Sequence, residues 1–92
     1  MSVMTRIPGP LRKLTNGQDK ADVTGATLGA CIDELDKQFP GMKDRLLDES
    51  GQMRYFVNIY LNGEDVRFLQ GLNTPTKSGD ELSIVPAVAG GA

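Results

Sequence analysis

The stretch YFVNIYLNGEDVRF, residues 55–68, reads as a β-strand that turns back on itself. Val57, Ile59 and Leu61 alternate with Phe56, Asn58 and Tyr60, so one set faces a core and the other the opposite side of a sheet. β-Branched and aromatic residues suit such a pleated, half-buried surface. Asn62-Gly63 then supplies two residues that tolerate positive φ, as a tight hairpin turn requires.

Working outward from that strand, KSGDELSIVPAV predicts a turn at Ser78-Gly79-Asp80 and a last strand with Leu82 and Ile84 facing inward. Pro86 has no N–H to give to a ladder, so regular pairing should fade there. Upstream, TGATLGACIDELDKQFPG predicts the main helix. Leu28, Ile32, Leu35 and Phe39 share one stripe, Thr27 suits the N-cap, and Pro40-Gly41 ends it. GMKDRLLDESGQM predicts a short helical turn and a polar loop, with Leu46 and Leu47 under the core. SVMTRI alternates as a first strand. Breakers at Pro8-Gly9-Pro10 and Thr15-Asn16-Gly17-Gln18 predict a loop leading to a polar edge strand in QDKADV.

The order is strand, strand, helix, strand, a short strand, strand. One amphipathic helix on one face of a mixed four- to five-stranded sheet is a two-layer α+β architecture, the β-grasp arrangement of ubiquitin. The expected division is a β-grasp domain over residues 1–86 and a C-terminal tail over residues 87–92.

Composition removes most chemistry. The 92 residues hold no histidine, which withdraws the commonest general base and metal ligand. The single cysteine, Cys31, falls on the apolar side of the helix and reads as a small core residue. No nucleotide-cradling glycine motif occurs. The pairs Asp33-Glu34 and Glu64-Asp65 read as solvated charges, as do Arg12-Lys13, with Glu34 in helical reach of Lys37 or Gln38. A net charge of −2 and scattered cations argue against nucleic acid. The absence of a long apolar run argues against a membrane and, with no signal-peptide pattern, for the cytoplasm. Catalytic and metal-ligating residues are expected to be none.

What remains is the tail. Glycine has no Cβ, so Gly90-Gly91 fits a channel too narrow for any side chain. Fully extended, Ala87 to Gly91 reach about 17 Å, enough to enter another protein's buried active site.

FVNIYLNGEDVRFLQGLNTPTKSGDELSIVPAVAGG resembles the C-terminal half of the ubiquitin-like sulfur carriers of the MoaD/ThiS type. The likeness rests on the strand and turn, the Gly-Asp turn before the last strand, and PAVAGG. It is strongest toward the thiocarboxylate carrier of cysteine biosynthesis; TLGACIDEL matches the family's helix more loosely. The resemblance implies a carrier, not an enzyme. An E1-like adenylating and sulfurating enzyme uses ATP to activate the Gly91 carboxylate, a thiocarboxylate forms, and a sulfur-accepting, cysteine synthase-like enzyme receives the sulfur. Gly90 would be the slim residue threading the channel. No cofactor is bound by the carrier itself. Molybdopterin or thiamine synthesis are the other acceptor pathways the family implies.

Mature carriers of this family end on the second glycine, whereas Ala92 follows it here. One extra residue displaces a terminal carboxylate by about 3.5 Å, too far for a site fitted to Gly91. A JAMM-type metalloprotease that cuts between Gly91 and Ala92 is therefore an implied partner; an engineered addition is the other reading of Ala92. Phe56 and Tyr60, opposite the core-facing residues, are candidates for a partner surface, unless the 8–17 loop covers them. Two further functions stay open. One is a ubiquitin-like modifier joined to lysines through Gly91; the other is an interaction domain with an inert tail.

Overall fold

The computed structural model describes residues 2–54 and 57–86. Five strands form one mixed sheet: β1 (Val3–Arg6), β2 (Lys20–Val23), β3 (Val57–Leu61), β4 (Glu64–Asp65) and β5 (Glu81–Pro86), in the order β2-β1-β5-β3-β4. The central pair β1 and β5 is parallel and every other pair antiparallel. It follows that β2 and β3 run in the same direction, and the long helix α1 (Leu28–Gln38) connects them. The β-grasp expectation holds, down to the polar edge strand at β2 and the short strand at β4.

Alternation places Val3, Thr5, Ala21, Val23, Val57, Ile59, Leu82 and Ile84 on one buried face. Against it α1 lays Leu28, Cys31, Ile32 and Leu35, all at most 3% exposed. Each buried leucine or isoleucine contributes about 1.5–3 kcal/mol. Phe39, expected on the same stripe, is instead the C-cap of α1 and packs half-buried at the edge of the core. Thr27 caps the other end as expected, its hydroxyl oxygen accepting from the Ala30 N–H at 3.2 Å. The helix stops two residues before Pro40, whose ring disfavours helical backbone in the residue preceding it.

The short helix α2 (Met42–Leu46) follows at once. Asp36 Oδ1 accepts from the Gly41 and Lys43 N–H groups, and so binds free donors at the start of α2. Met42 and Leu46 are fully buried and Leu47 nearly so, as expected for the two leucines.

Two local expectations are corrected. Residues 9–15, read as loop, form a 3-10 helix (Gly9–Thr15) with Pro10 in its first turn, where a missing N–H costs nothing. Leu11 and Leu14, one 3-10 turn apart, both pack against the core. Asn16 and Gly17, both at positive φ, end it. Glu34 pairs with neither Lys37 nor Gln38 among the described residues. The Gln38 amide donates to the Asp22 carbonyl of β2 at 2.8 Å, and Asp33 takes the Lys43 ammonium at 2.7 Å. Tertiary partners outcompete a helix-surface contact worth about 0.2–0.5 kcal/mol.

The connection from β4 to β5 is pinned to the start of α1. The Leu28 N–H donates to the Thr74 carbonyl, the Thr76 N–H to the Ala26 carbonyl, and the Thr76 hydroxyl to the Gly25 carbonyl at 2.7 Å. This fixes where β5 begins.

Candidate functional site: the root of the C-terminal segment

β5 is the central strand of the sheet, and its two neighbours end at different heights. The register with β1 runs from Met4 opposite Glu81 to Arg6 opposite Ser83. Beyond Ser83 the strand keeps only β3, through Ile84 opposite Ile59, Val85 opposite Asn58, and Pro86 opposite Val57. Pro8 contributes to the divergence, since β1 gives way there to the 3-10 helix. Pro86, where pairing was expected to fade, is the last residue of β5 and the last described. Gly90, Gly91 and Ala92, the residues expected to carry the function, lie outside the described residues, as does the whole 87–92 segment.

Two turns hold the opposite end of β5. Gly79, at φ 93, makes the expected turn, closed by the Asp80 N–H donating to the Lys77 carbonyl at 3.1 Å. Asp80 is 7% exposed, and its carboxylate accepts from the Lys77 N–H at 2.9 Å and from the Asn62 amide at 3.1 Å. The Asn62 side-chain oxygen in turn accepts from the Glu81 N–H at 3.0 Å. The Asn62 amide first, then the Lys77 N–H, holds the Asp80 carboxyl below the usual carboxylate range, against an opposing contribution from burial. The Gly-Asp turn was legible in the sequence; its partner Asn62 was not.

Tyr60 lies on the outer face of the sheet, half-buried, in register with Ser83 on one side and Asp65 on the other. The 3-10 helix of residues 9–15 does not cover it, because Leu11 and Leu14 face the core on the α1 side. Phe56, expected beside Tyr60, lies outside the described residues. The same outer face carries the Arg6–Glu81 ion pair and Val85, which is 44% exposed. From the 3-10 turn after β4 (Val66–Phe68), the Arg67 guanidinium reaches the Asn58 side-chain oxygen at 2.6 Å and the Arg54 carbonyl at 2.8 Å.

The remaining candidates are structural. Cys31 is 1% exposed, and burial pushes its thiol above its ordinary pKa, only partly opposed by the Thr76 hydroxyl 3.5 Å away. It therefore stays protonated and unreactive, as its place in the sequence suggested. Of the acidic pairs, Asp33 and Glu64 are exposed, while Asp65 caps the next 3-10 turn through the Arg67 N–H. Among the described residues, no group of three histidine, cysteine or acidic side chains is placed to hold a metal, and no helix is long and apolar enough to cross a membrane.

Residues 5–91 match the model of the ThiS family. This chain belongs to the ThiS family. The chain is 48% identical to the sulfur carrier protein CysO of Mycobacterium tuberculosis, over 99% of its own length and 100% of the relative's. Against the crystal structure of M. tuberculosis CysO the TM-score is 0.89, at 46% identity, covering 94% of this chain and 99% of that one. A chain of the BexX/CysO complex of Amycolatopsis orientalis superposes with a TM-score of 0.91 at 42% identity, covering 95% and 97%. The small archaeal modifier protein 3 of Haloferax volcanii is 38% identical over 72% of this chain and 71% of its own. The resemblance to the ubiquitin-like sulfur carriers is thus borne out.

Proposed function

We propose that this protein is a sulfur carrier whose Gly91 carboxyl is its working group. The full-length similarity to CysO carries the reading, and the emergence of β5 beyond its β1 neighbour is the geometry that supports it. In the first step a Gly91 carboxylate oxygen attacks the α-phosphorus of ATP on an E1-like enzyme, and pyrophosphate leaves. A hydrosulfide equivalent then attacks the acyl carbon. The carbon–oxygen bond to AMP breaks, and the thiocarboxylate remains. Activation as an acyl-adenylate splits one difficult substitution into two easier ones. Every catalytic group belongs to the partner, so the carrier is a substrate and needs no cofactor of its own. A cytoplasmic carrier, with access to ATP, fits this reading.

Before activation a JAMM-type metalloprotease cleaves the Gly91–Ala92 bond, which frees the carboxylate in the correct place. Gly90 keeps the channel clear, and Tyr60 on the outer sheet face is the candidate anchor for the activating enzyme. The acceptor is a cysteine synthase-like enzyme, the reading favoured by the similarity to CysO over molybdopterin or thiamine synthesis. The test is intact-mass measurement of the trimmed protein after incubation with its adenylating enzyme, ATP and sulfide. Exchange of one oxygen for sulfur at Gly91 is expected; trimmed protein that never gains sulfur refutes the proposal.

The similarity to a small archaeal modifier protein keeps a second reading in play, conjugation through Gly91 to lysines of other proteins. A ladder of adducts that survives denaturant and thiol would favour it. Thioester or thiocarboxylate species alone would not.

A further inference from the structure

A cleft of about 570 Å³ opens on the α1 side of the sheet, directly beside Pro86. Its floor is apolar, made by Leu11 of the 3-10 helix, Val57 of β3 and Ile84 of β5. Its rim carries three cations from three separate segments: Lys13, Arg45 of α2, and Arg54 just before β3. One carboxylate, Asp44, shares the rim. In a chain with a net charge of −2, this is a local excess of positive charge. The ion pairs among the described residues are Arg6–Glu81 and Lys43–Asp33, so none of the three rim cations is paired there. Arg54 is oriented by donating to the Asp44 carbonyl at 2.9 Å.

We infer that this cleft is a docking surface for the acidic mouth of the enzyme that adenylates Gly91. The inference rests on the proposed function. The position follows from chain length. From Pro86 to Gly91 the chain spans about 17 Å at full extension. An enzyme that encloses Gly91 in a buried site must therefore bring its entrance against the surroundings of Pro86. On the α1 side those surroundings are Lys13, Arg45 and Arg54 over an apolar floor. The surface that fits them bears carboxylates around the opening and an apolar ridge between them. Complementary charge at such a rim speeds encounter and fixes orientation more than it adds affinity, and salt screens it.

The experiment measures thiocarboxylate formation by the adenylating enzyme as a function of carrier concentration and salt. Lys13→Glu with Arg45→Glu should raise KM about tenfold with little change in kcat, and should flatten the dependence of KM on salt. Arg54 is left intact because it holds the Asp44 carbonyl. A control pair with the same change of net charge, Lys20→Glu with Lys37→Glu, lies elsewhere on the surface and should leave KM within about twofold. The neutral pair Lys13→Ala with Arg45→Ala should fall between, with an unchanged melting temperature that verifies the fold. An unchanged KM in the reversed pair, or an equal rise in the control pair, overturns the docking surface. If the wild-type carrier itself is never sulfurated, the proposed function fails instead, and the two failures are distinguishable.

Discussion

Asn62 and Asp80, eighteen residues apart, clasp the two turns that bracket the start of β5: the Asn62 amide donates to an Asp80 oxygen at 3.1 Å. The same asparagine takes the Glu81 N–H, and the other Asp80 oxygen takes the Lys77 N–H. Asp80 therefore prefers to be ionised in the folded protein, with its pKa below the ordinary value of about 3.9. A depressed folded pKa contributes stability that is present above that ordinary value and is lost as pH falls through the folded one. Asp80→Asn removes the charge at every pH. Its deficit in melting temperature relative to wild type should be largest near neutrality and shrink as pH drops below about 4. A deficit of constant size across that range would contradict the assignment. Asp48, held low by the Ser50 hydroxyl and the Gln52 N–H, adds acid sensitivity in the same direction, and this persists in the variant.

A second prediction concerns the inner face. Thr5 is 1% exposed, and its hydroxyl has no hydrogen-bond partner among the described residues. It borders a void of about 10 Å³ lined by apolar side chains including Leu28, Leu35, Ile59 and Leu82. Such a void offers a water too few polar partners to hold it. An unsatisfied buried hydroxyl costs about 1–3 kcal/mol, and valine has the same shape without it. Thr5→Val should raise stability by about 1 kcal/mol, which for a domain of this size is a rise of roughly 4–8 °C in melting temperature. A lower melting temperature would show that the hydroxyl is bonded in solution.

Gly25 makes a different demand, one of space. A Cβ there would lie 2.7 Å from the Cys31 nitrogen and 2.9 Å from the Ala30 carbonyl carbon, both backbone atoms of α1. Neither can move without shifting the helix that covers the core. Gly25→Ala should cost about 3 kcal/mol in denaturant unfolding. Gly9→Ala, with nothing within 4 Å of the added carbon, should stay within about 0.5 kcal/mol of wild type. Equal effects at the two positions would refute the packing argument.

The parts of this fold that were legible share one property: a single segment carries the whole signal. Period-two alternation in Val57–Leu61 and at Leu82 and Ile84, and the helical stripe from Leu28 to Leu35, each declare a buried face without reference to the rest of the chain. The 3-10 helix escaped because only Leu11 and Leu14 mark it, three apart among proline, glycine and cations, where breaker residues outweigh a two-point pattern. Asp80 illustrates the next limit. Its turn is local, but its burial depends on Asn62 in another hairpin. The rim of Lys13, Arg45 and Arg54 was illegible for the same reason, because only the packing of three distant segments brings these charges together. The diglycine is a separate case: its reading rests on what glycine lacks, and it lies outside the described residues.

The last prediction separates that chemistry from the fold. Gly90 lies outside the described residues, and the described core is built by residues 3–84. Gly90→Val should therefore melt with wild type, within about 0.5 kcal/mol. On the proposed function, a β-branched side chain in a channel shaped for glycine would displace the neighbouring Gly91 carboxylate from the reacting phosphorus, and a misplacement of about 1 Å lowers rate on the order of a hundredfold. Pyrophosphate release with excess ATP measures the adenylation step alone, so the expected result is a folded carrier that is trimmed but barely activated. Normal pyrophosphate release from Gly90→Val would mean that the channel accepts side chains at this position, and the case for a glycine-only passage would fall.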